Sequence, residues 1–237
     1  MAVTCETTEH DLGLVASLSG TLDLTGVSAL RLRLFKYLAE QPAALLVELS
    51  GLTVAEPLAL TVLVAVARQA ARWPGIPMML CAPPPPVEAM LTDAAFRRLA
   101  IFGSVEASAA SASDQRRSLP SVSDDLLPIT GAAREARDLA TEACLRWNLP
   151  ELVGRASLIV DEFLSNVADH ANTMATLRLT LRPRFLTIAV EDGSSAPPVL
   201  GPDRGRGLIL VRATAHSWGW LPTEGGKVVW ASLAVRA

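Results

Sequence analysis

The chain lacks the features that mark membrane and secreted proteins. None of its 237 residues falls in an uninterrupted apolar run of the roughly 18 residues that a membrane span needs. The most apolar run, residues 58–67, ends at Arg68 and predicts a buried helix. The N-terminus has neither the basic nor the apolar region of a secretory signal. We therefore expect a cytoplasmic protein that does not enter the membrane.

Cysteines are few and basic charge is not in excess. Cys5, Cys81 and Cys144 lie far apart, which suits buried thiols and argues against a disulfide framework or a cysteine metal site. The formal net charge is −3, and no long run of one sign occurs. This balance gives no indication of direct nucleic-acid binding.

What the chain does have is a globular composition with one interruption. Half of the residues are apolar and 19% are charged, which is typical of folded domains. Residues 107–120 are small and polar without an apolar period, and this pattern predicts a linker. The sequence therefore predicts two domains, 1–106 and 121–237.

The two domains have different patterns of predicted elements. Before residue 106, apolar strands alternate with helices, which predicts an α/β domain with a mostly parallel sheet. After residue 120, helices over 132–147 and 151–169 come first and antiparallel strands follow. This order predicts an α+β two-layer sandwich.

Chemistry-bearing residues occur at three places in the second domain. Glu162 and Asn166 lie four residues apart and so share one helix face, where their oxygens would suit Mg²⁺. Such a pair is also common on a solvated helix. Asp192 and Gly193 end a strand, so the carboxylate could accept a hydrogen bond from an amine such as that of adenine, although a plain strand-to-turn Asp-Gly is the commoner interpretation.

The third place is a glycine-rich loop that leads into a helix. Gly205 and Gly207 leave backbone N–H groups bare at a helix N-terminus, which suits a phosphate. Alone, this Gly-x-Gly is a weak signal. It matches neither a P-loop nor a dinucleotide fingerprint.

Together, the three patterns resemble a known superfamily. Their order is similar to that of the ATP-binding boxes of histidine kinases and gyrases, which have the Bergerat (GHKL) fold. Closer still is the resemblance to bacterial anti-sigma-factor serine kinases. It is carried by residues 161–171 (DEFLSNVADHA), 190–198 (VEDGSSAPP), 205–211 (GRGLILV) and 226–230 (GKVVW).

The resemblance implies a role for each matching residue. Glu162 would be the general base, Asn166 the Mg²⁺ ligand and Asp192 the acceptor for adenine, while Gly205 and Gly207 would belong to the loop that covers the phosphates. The resemblance extends the ATP site to Asp169, Gly193, Arg206 and Leu208. We interpret His170 as structural, and Val228 stands where many relatives have a threonine near adenine.

The N-terminal half resembles the STAS domain of anti-sigma-factor antagonists. The matching stretches are residues 20–24 (GTLDL) and 47–60 (VELSGLTVAEPLAL). Antagonists usually carry Asp-Ser-Ser-Gly at the phosphate-acceptor turn, whereas this chain has Glu56, Pro57, Leu58 and an alanine, with no hydroxyl. We therefore expect a STAS-like domain that is not phosphorylated at the usual place.

The resemblances imply an ATP- and Mg²⁺-dependent serine kinase that regulates an alternative sigma factor by partner switching. Its partners would be a separate STAS-domain antagonist, an alternative sigma factor or both, and a homodimer stays open. The alternative is a catalytically weak or inactive nucleotide-binding module that acts by sequestering its partners.

Overall fold

The protein divides into two compact units. A computed structural model describes residues 1–10, 13–114, 119–129, 131–198 and 206–235, without the side chains of residues 113, 114 and 206. The units are Met1–Arg117 and Ser118–Ala237. The division falls within the segment for which the composition predicts a linker. Each unit is built on a five-stranded sheet.

The N-terminal unit is an α/β unit with a mostly parallel sheet. The sheet has the order β1-β2-β3-β4-β5, in which β1 is antiparallel to β2 and the other pairs are parallel. This agrees with the predicted alternation of strands and helices. The elements are β1 (Thr4–His10), β2 (Gly13–Leu22), α1 (Val27–Ala39), β3 (Leu45–Val54), α2 (Thr61–Arg72), β4 (Met78–Cys81), α3 (Pro85–Leu91), β5 (Ala100–Phe102) and α4 (Val105–Asp114).

Helix α4 corrects the predicted linker. The structure places residues 107–114 in this helix, and Ala109 and Ala112 are buried against strand residues that include Leu46 and Met79. Alanine favours helix, and a spacing of three puts both alanines on one face. The composition of small residues therefore encodes a closely packed helix over residues 107–114, and residues 115–118 of the predicted linker lie outside the described residues.

The C-terminal unit is built on an antiparallel sheet with the order β6-β7-β8-β10-β9. The expectation that a helix comes first is wrong, because β6 precedes α5 and pairs with β7. This strand (SVSDDL) is short and polar, so its sequence signal is weak. The elements are β6 (Ser121–Leu126), α5 (Ala132–Arg146), α6 (Val153–Asn166), β7 (Ala175–Leu181), β8 (Phe185–Asp192), α7 (Arg206–Thr214), β9 (Ser217–Pro222) and β10 (Lys227–Ala234).

The helices of this unit pack on one face of its sheet. Alternate strand residues share a face, so Leu177, Ile188 and Ala231 meet the helices together. Phe163 of α6 and Val211 of α7 belong to the same buried cluster. The result is a helical layer on an antiparallel sheet, which agrees with the predicted two-layer α+β arrangement.

One irregularity extends α6 towards the sheet. Residues Val167–Ala171 form a π-helical turn, which ends at Asn172 in the left-handed conformation. Short π-turns inside or at the end of α-helices are frequent at functional sites.

Across the residues that the structure describes, no helix has the length and apolar character needed to cross a membrane.

Candidate functional site

A buried ion pair lies where β8 ends. The register of the sheet places Asp192 opposite Lys227 of β10. The Lys227 Nζ donates to Asp192 Oδ1 at 2.8 Å, and the two side chains are only 7% and 3% exposed. The backbone N–H of Ser194 donates to the same oxygen at 2.8 Å, and Nζ also donates to the carbonyl oxygen of Ser194 at 3.2 Å. The carboxylate is therefore held by both a cation and the backbone.

A glycine lets the neighbouring turn come close to this pair. A Cβ added at Gly226 would overlap the carbonyl oxygen of Asp192 and lie 2.7 Å from the carbonyl carbon of Gly193. The absence of a side chain therefore allows the start of β10 to approach the Asp192–Gly193 backbone. This close approach brings Lys227 next to Asp192.

The ion pair lines a cavity of about 200 Å³. The cavity is also lined by Phe163 and Asn166 of α6, His170 of the π-turn and Val229 of β10. Residues 194–198 close another side. Asn166 and Asp192, which the sequence predicts to share a site, do share this cavity.

Asn166 is bonded to its own helix through its amide nitrogen. Its Nδ2 donates to the backbone carbonyl of Glu162 at 3.0 Å, and this bond fixes the side chain against the helix. The described residues contain no group of three or more His, Cys, Asp or Glu side chains that could hold a metal ion. Mg²⁺ commonly takes only one or two protein oxygens and completes its shell with phosphates and water. The amide oxygen of Asn166 fits that requirement.

Glu162 lies one helical turn before Asn166 and is only partly exposed. Burial raises the pKa of its carboxyl group above the ordinary value of 4.5, and the negative charge of Asp161 raises that pKa further. Asp161 itself is paired with Arg137 at 2.6 Å. Glu162 is therefore a carboxylate that holds a proton more readily than a solvated one, as a general base requires.

The start of α7 lies against this carboxylate. A Cβ added at Gly207 would overlap Glu162 Oε2 and lie 2.9 Å from the carboxyl carbon. The structure thus brings together the predicted base and one glycine of the predicted phosphate loop. Gly205 lies outside the described residues, and Arg206 begins α7 with its side chain outside them.

Glu162 also borders a second, larger groove. This groove has a volume of about 590 Å³ and is lined by α6, the start of α5 and residues 126–129. Val167 borders both this groove and the smaller cavity, so the two adjoin. Glu162 is therefore accessible from a different side of α6 than Asp192.

The other predicted site residues differ in their burial and in the contacts that they make. Asp169 is exposed on the π-turn and accepts a 3.4 Å hydrogen bond from Ser165. Gly193 donates its N–H to Thr173 Oγ1 at 2.9 Å. Leu208 is completely buried in the core, so its side chain supports α7 and does not face a ligand.

Three residues differ from the sequence interpretation. Val228 pairs with Glu191 on the face of the sheet away from the helices, and it does not line the cavity that Asp192 borders. Its neighbours Lys227 and Val229 line the cavity. His170, interpreted as structural, is also on the cavity wall. Because residues 228–231 are all apolar, strand alternation gives no signal for the face that Lys227 takes.

In the N-terminal unit, the predicted acceptor turn has no hydroxyl-bearing side chain over Glu56, Pro57 and Leu58. Residues Pro57–Leu60 form a 3₁₀ turn, and Leu58 is 64% exposed. The Glu56 carboxylate accepts a hydrogen bond from the backbone N–H of Leu24 at 2.8 Å. This hydrogen bond connects the turn to the residues that follow β2. The turn presents an apolar side chain, that of Leu58, to solvent.

The comparison with protein families agrees with the prediction for the N-terminal unit, and two solved structures are similar to part of the chain. Residues 4–109 match the family described as STAS domain. An anti-sigma factor antagonist from Mycobacterium paratuberculosis is similar, with 21% identity over 48% of this chain and 96% of its own, at a TM-score of 0.40. The antagonist SpoIIAA in its unphosphorylated form is similar too, with 14% identity over 48% of this chain and 100% of its own, also at 0.40. No curated protein matches the chain.

The family match supports a STAS domain at residues 4–109, close to the predicted bounds of 1–106. It ends before the C-terminal unit, so it does not bear on Glu162, Asp192 or Lys227.

Proposed function

We propose that the protein regulates an alternative sigma factor by partner switching, and that its C-terminal unit is a serine kinase of the Bergerat type. The observation that carries this proposal is the shared geometry of the predicted motifs. Asn166 and Asp192 line one cavity, while the Glu162 carboxylate lies against the backbone of Gly207. STAS domains take part in partner switching with anti-sigma factors, and the match at residues 4–109 supports a place in such a circuit.

In this proposal each residue has a defined task. Asp192 and the walls of the smaller cavity hold the nucleobase, and Asn166 offers its amide oxygen to Mg²⁺. When bound, Mg²⁺ neutralises charge on the phosphates. Glu162 accepts the proton of the attacking serine hydroxyl, which approaches from a separate STAS antagonist through the larger groove. The backbone at the start of α7 donates N–H groups to the phosphates.

The test is phosphoryl transfer to a separate protein. The purified chain would be incubated with Mg²⁺, labelled ATP and a STAS antagonist that carries a serine at its acceptor turn. We expect labelled phosphoserine on the antagonist, and we expect Glu162→Gln to lose transfer by about 10²-fold or more while still binding nucleotide. Equal transfer by both proteins would remove Glu162 from the role of base.

A second function is favoured by the Lys227–Asp192 ion pair. Lys227 already occupies the carboxylate that the resemblance assigns to adenine. A module with altered nucleotide recognition could still bind its partners and act by sequestering them. Complex formation with the antagonist or the sigma factor, without any phosphate transfer, would favour this candidate over the kinase.

A further inference from the structure

The cavity is lined by a cationic side chain, Lys227, to which the sequence interpretation assigns no role. Only two lysines occur in the chain, Lys36 and Lys227, and Lys36 belongs to α1 of the N-terminal unit. An ammonium group has three N–H donors. For Lys227, the described residues accept two of them, through Asp192 Oδ1 and the carbonyl oxygen of Ser194. The third is available to a molecule in the cavity.

The carboxylate of the pair also keeps hydrogen-bonding capacity. Both bonds that it receives from the described residues, from Lys227 Nζ and from the N–H of Ser194, end on Oδ1. An ionised carboxylate can accept through either oxygen, which leaves Oδ2 for a ligand. The wall therefore presents an N–H donor and a carboxylate acceptor side by side, and both groups are charged.

Purine bases differ in how well they complement such a wall. Adenine offers an aromatic amine as donor and a ring nitrogen as acceptor. A 6-oxopurine offers the N–H and C=O of a lactam, which have the strong hydrogen-bonding character of a peptide group. Either edge would donate an N–H to the carboxylate and accept from the ammonium, so both bonds would be charge-assisted for both bases. The difference is the acceptor, because a lactam C=O has a larger dipole than an adenine ring nitrogen and gains more from the ammonium.

We propose that the 200 Å³ cavity selects 6-oxopurine nucleotides, those of guanine or hypoxanthine, over adenine nucleotides, and that Lys227 determines this choice. The inference rests on the proposed function, because it assigns this cavity to the base of a nucleotide. It changes the class of phosphate donor from the one that the family resemblance implies. Without an ammonium at this position, Asp192 would accept an N–H from either base, and the preference would be lost.

The test compares two nucleotides on the purified full chain with Mg²⁺. Inosine triphosphate and ATP differ only at the C6–N1 edge of the base, so their dissociation constants from equilibrium dialysis isolate the contact with the ion pair. We expect inosine triphosphate to bind about tenfold more tightly, the order expected for charge-assisted hydrogen bonds. We expect GTP to follow inosine triphosphate.

Variants assign the preference to its residue. Lys227→Met removes the ammonium but keeps a long side chain, and we expect it to abolish the preference. Lys36→Met is the matched control and should keep the wild-type ratio. Circular dichroism verifies that both variants are folded, and the wild-type comparison stands without either of them.

Each contrary outcome has a distinct meaning. Wild-type binding of ATP at least as tight as that of inosine triphosphate would overturn the inference and leave the nucleotide site in place. A preference that persists in folded Lys227→Met would overturn the role of Lys227. Failure of the wild type to bind any of the three nucleotides would overturn the proposed kinase and this inference together.

Discussion

At the scale of single residues, the proposed role of Glu162 as general base makes transfer depend on the protonation state of its carboxyl group. A general base works only as the carboxylate, so transfer should fall as the pH falls through its pKa. Burial raises that pKa above 4.5. We therefore expect the acidic limb of the pH–rate profile to lie at higher pH than for a solvated glutamate. Initial rates across the acidic range would measure it, and a limb in the ordinary glutamate range would contradict the assignment.

The Lys227–Asp192 pair gives a second prediction at this scale, which concerns stability. Lys227→Met leaves a buried carboxylate without its cation, and we expect the C-terminal unit to lose about 3–5 kcal/mol of unfolding free energy. A double variant, Lys227→Met with Asp192→Leu, should recover most of this loss because no charge stays buried. Denaturant unfolding of the three proteins measures both effects. A single variant as stable as the wild type would mean that water solvates Asp192.

The residues also show how far sequence reasoning reached. The spacing of Glu162 and Asn166 predicted a shared helix face, and Asp192 was placed correctly at a strand end. Lys227 was missed because its partner comes from the register between β8 and β10, which is a long-range property. Only the pairing shows that residue 227, and not 228, points towards the helices.

At the scale of elements, α7 and α6 offer a matched pair of glycines. Gly207 and Gly154 are each the second residue of their helix, but a Cβ at Gly207 would overlap the Glu162 carboxylate, whereas a Cβ at Gly154 would meet nothing within 4 Å. Because the end of the Glu162 side chain can move aside, we expect Gly207→Ala to fold normally but to displace the base. Transfer should fall by about tenfold or more, since small misplacements of a catalytic group are costly.

Gly154→Ala serves as the control for that experiment. We expect unchanged transfer and an unfolding free energy higher by about 0.5–1 kcal/mol, because alanine favours helix over glycine. Transfer rates and melting curves of both variants would be compared with those of the wild type. Equal rates for Gly207→Ala and the wild type would show that α7 does not position Glu162.

Elements with a strong apolar period were the ones that the sequence predicted well. Helix α5 lies within one residue of its predicted bounds, 132–147. Strand β6 and helix α4 were missed for opposite reasons. The first is short and polar, and it is stabilised by pairing with β7. The second is rich in small residues, and burial of its alanines cannot be inferred without knowing which strands it covers.

At the scale of the whole molecule, the acceptor turn sets an expectation for self-modification. A kinase joined to its own substrate domain would phosphorylate it readily, because a short tether raises the effective concentration to about the millimolar range. Here the turn over Glu56, Pro57 and Leu58 has no hydroxyl. We expect no stable phosphoserine or phosphothreonine in residues 1–106 after incubation with Mg²⁺ and nucleoside triphosphate. Mass spectrometry would detect one, and phosphate on Ser50 or Thr53 would contradict the prediction.

The same turn leads to the last prediction, that the N-terminal unit regulates without being consumed. The side chain of Leu58 is exposed, and a hydrogen bond from the backbone of Leu24 to Glu56 holds the turn in place. Because the turn has no hydroxyl, phosphorylation there cannot change how this surface binds a partner. Residues 118–237 have their own core, so they can be prepared alone. We expect this fragment to differ from the full chain by several-fold in transfer to a separate antagonist or in affinity for it. Leu58→Ser in the full chain is the complementary variant, because it adds a hydroxyl and should permit self-phosphorylation. If fragment and full chain behave identically, the N-terminal unit has no regulatory role towards the C-terminal one.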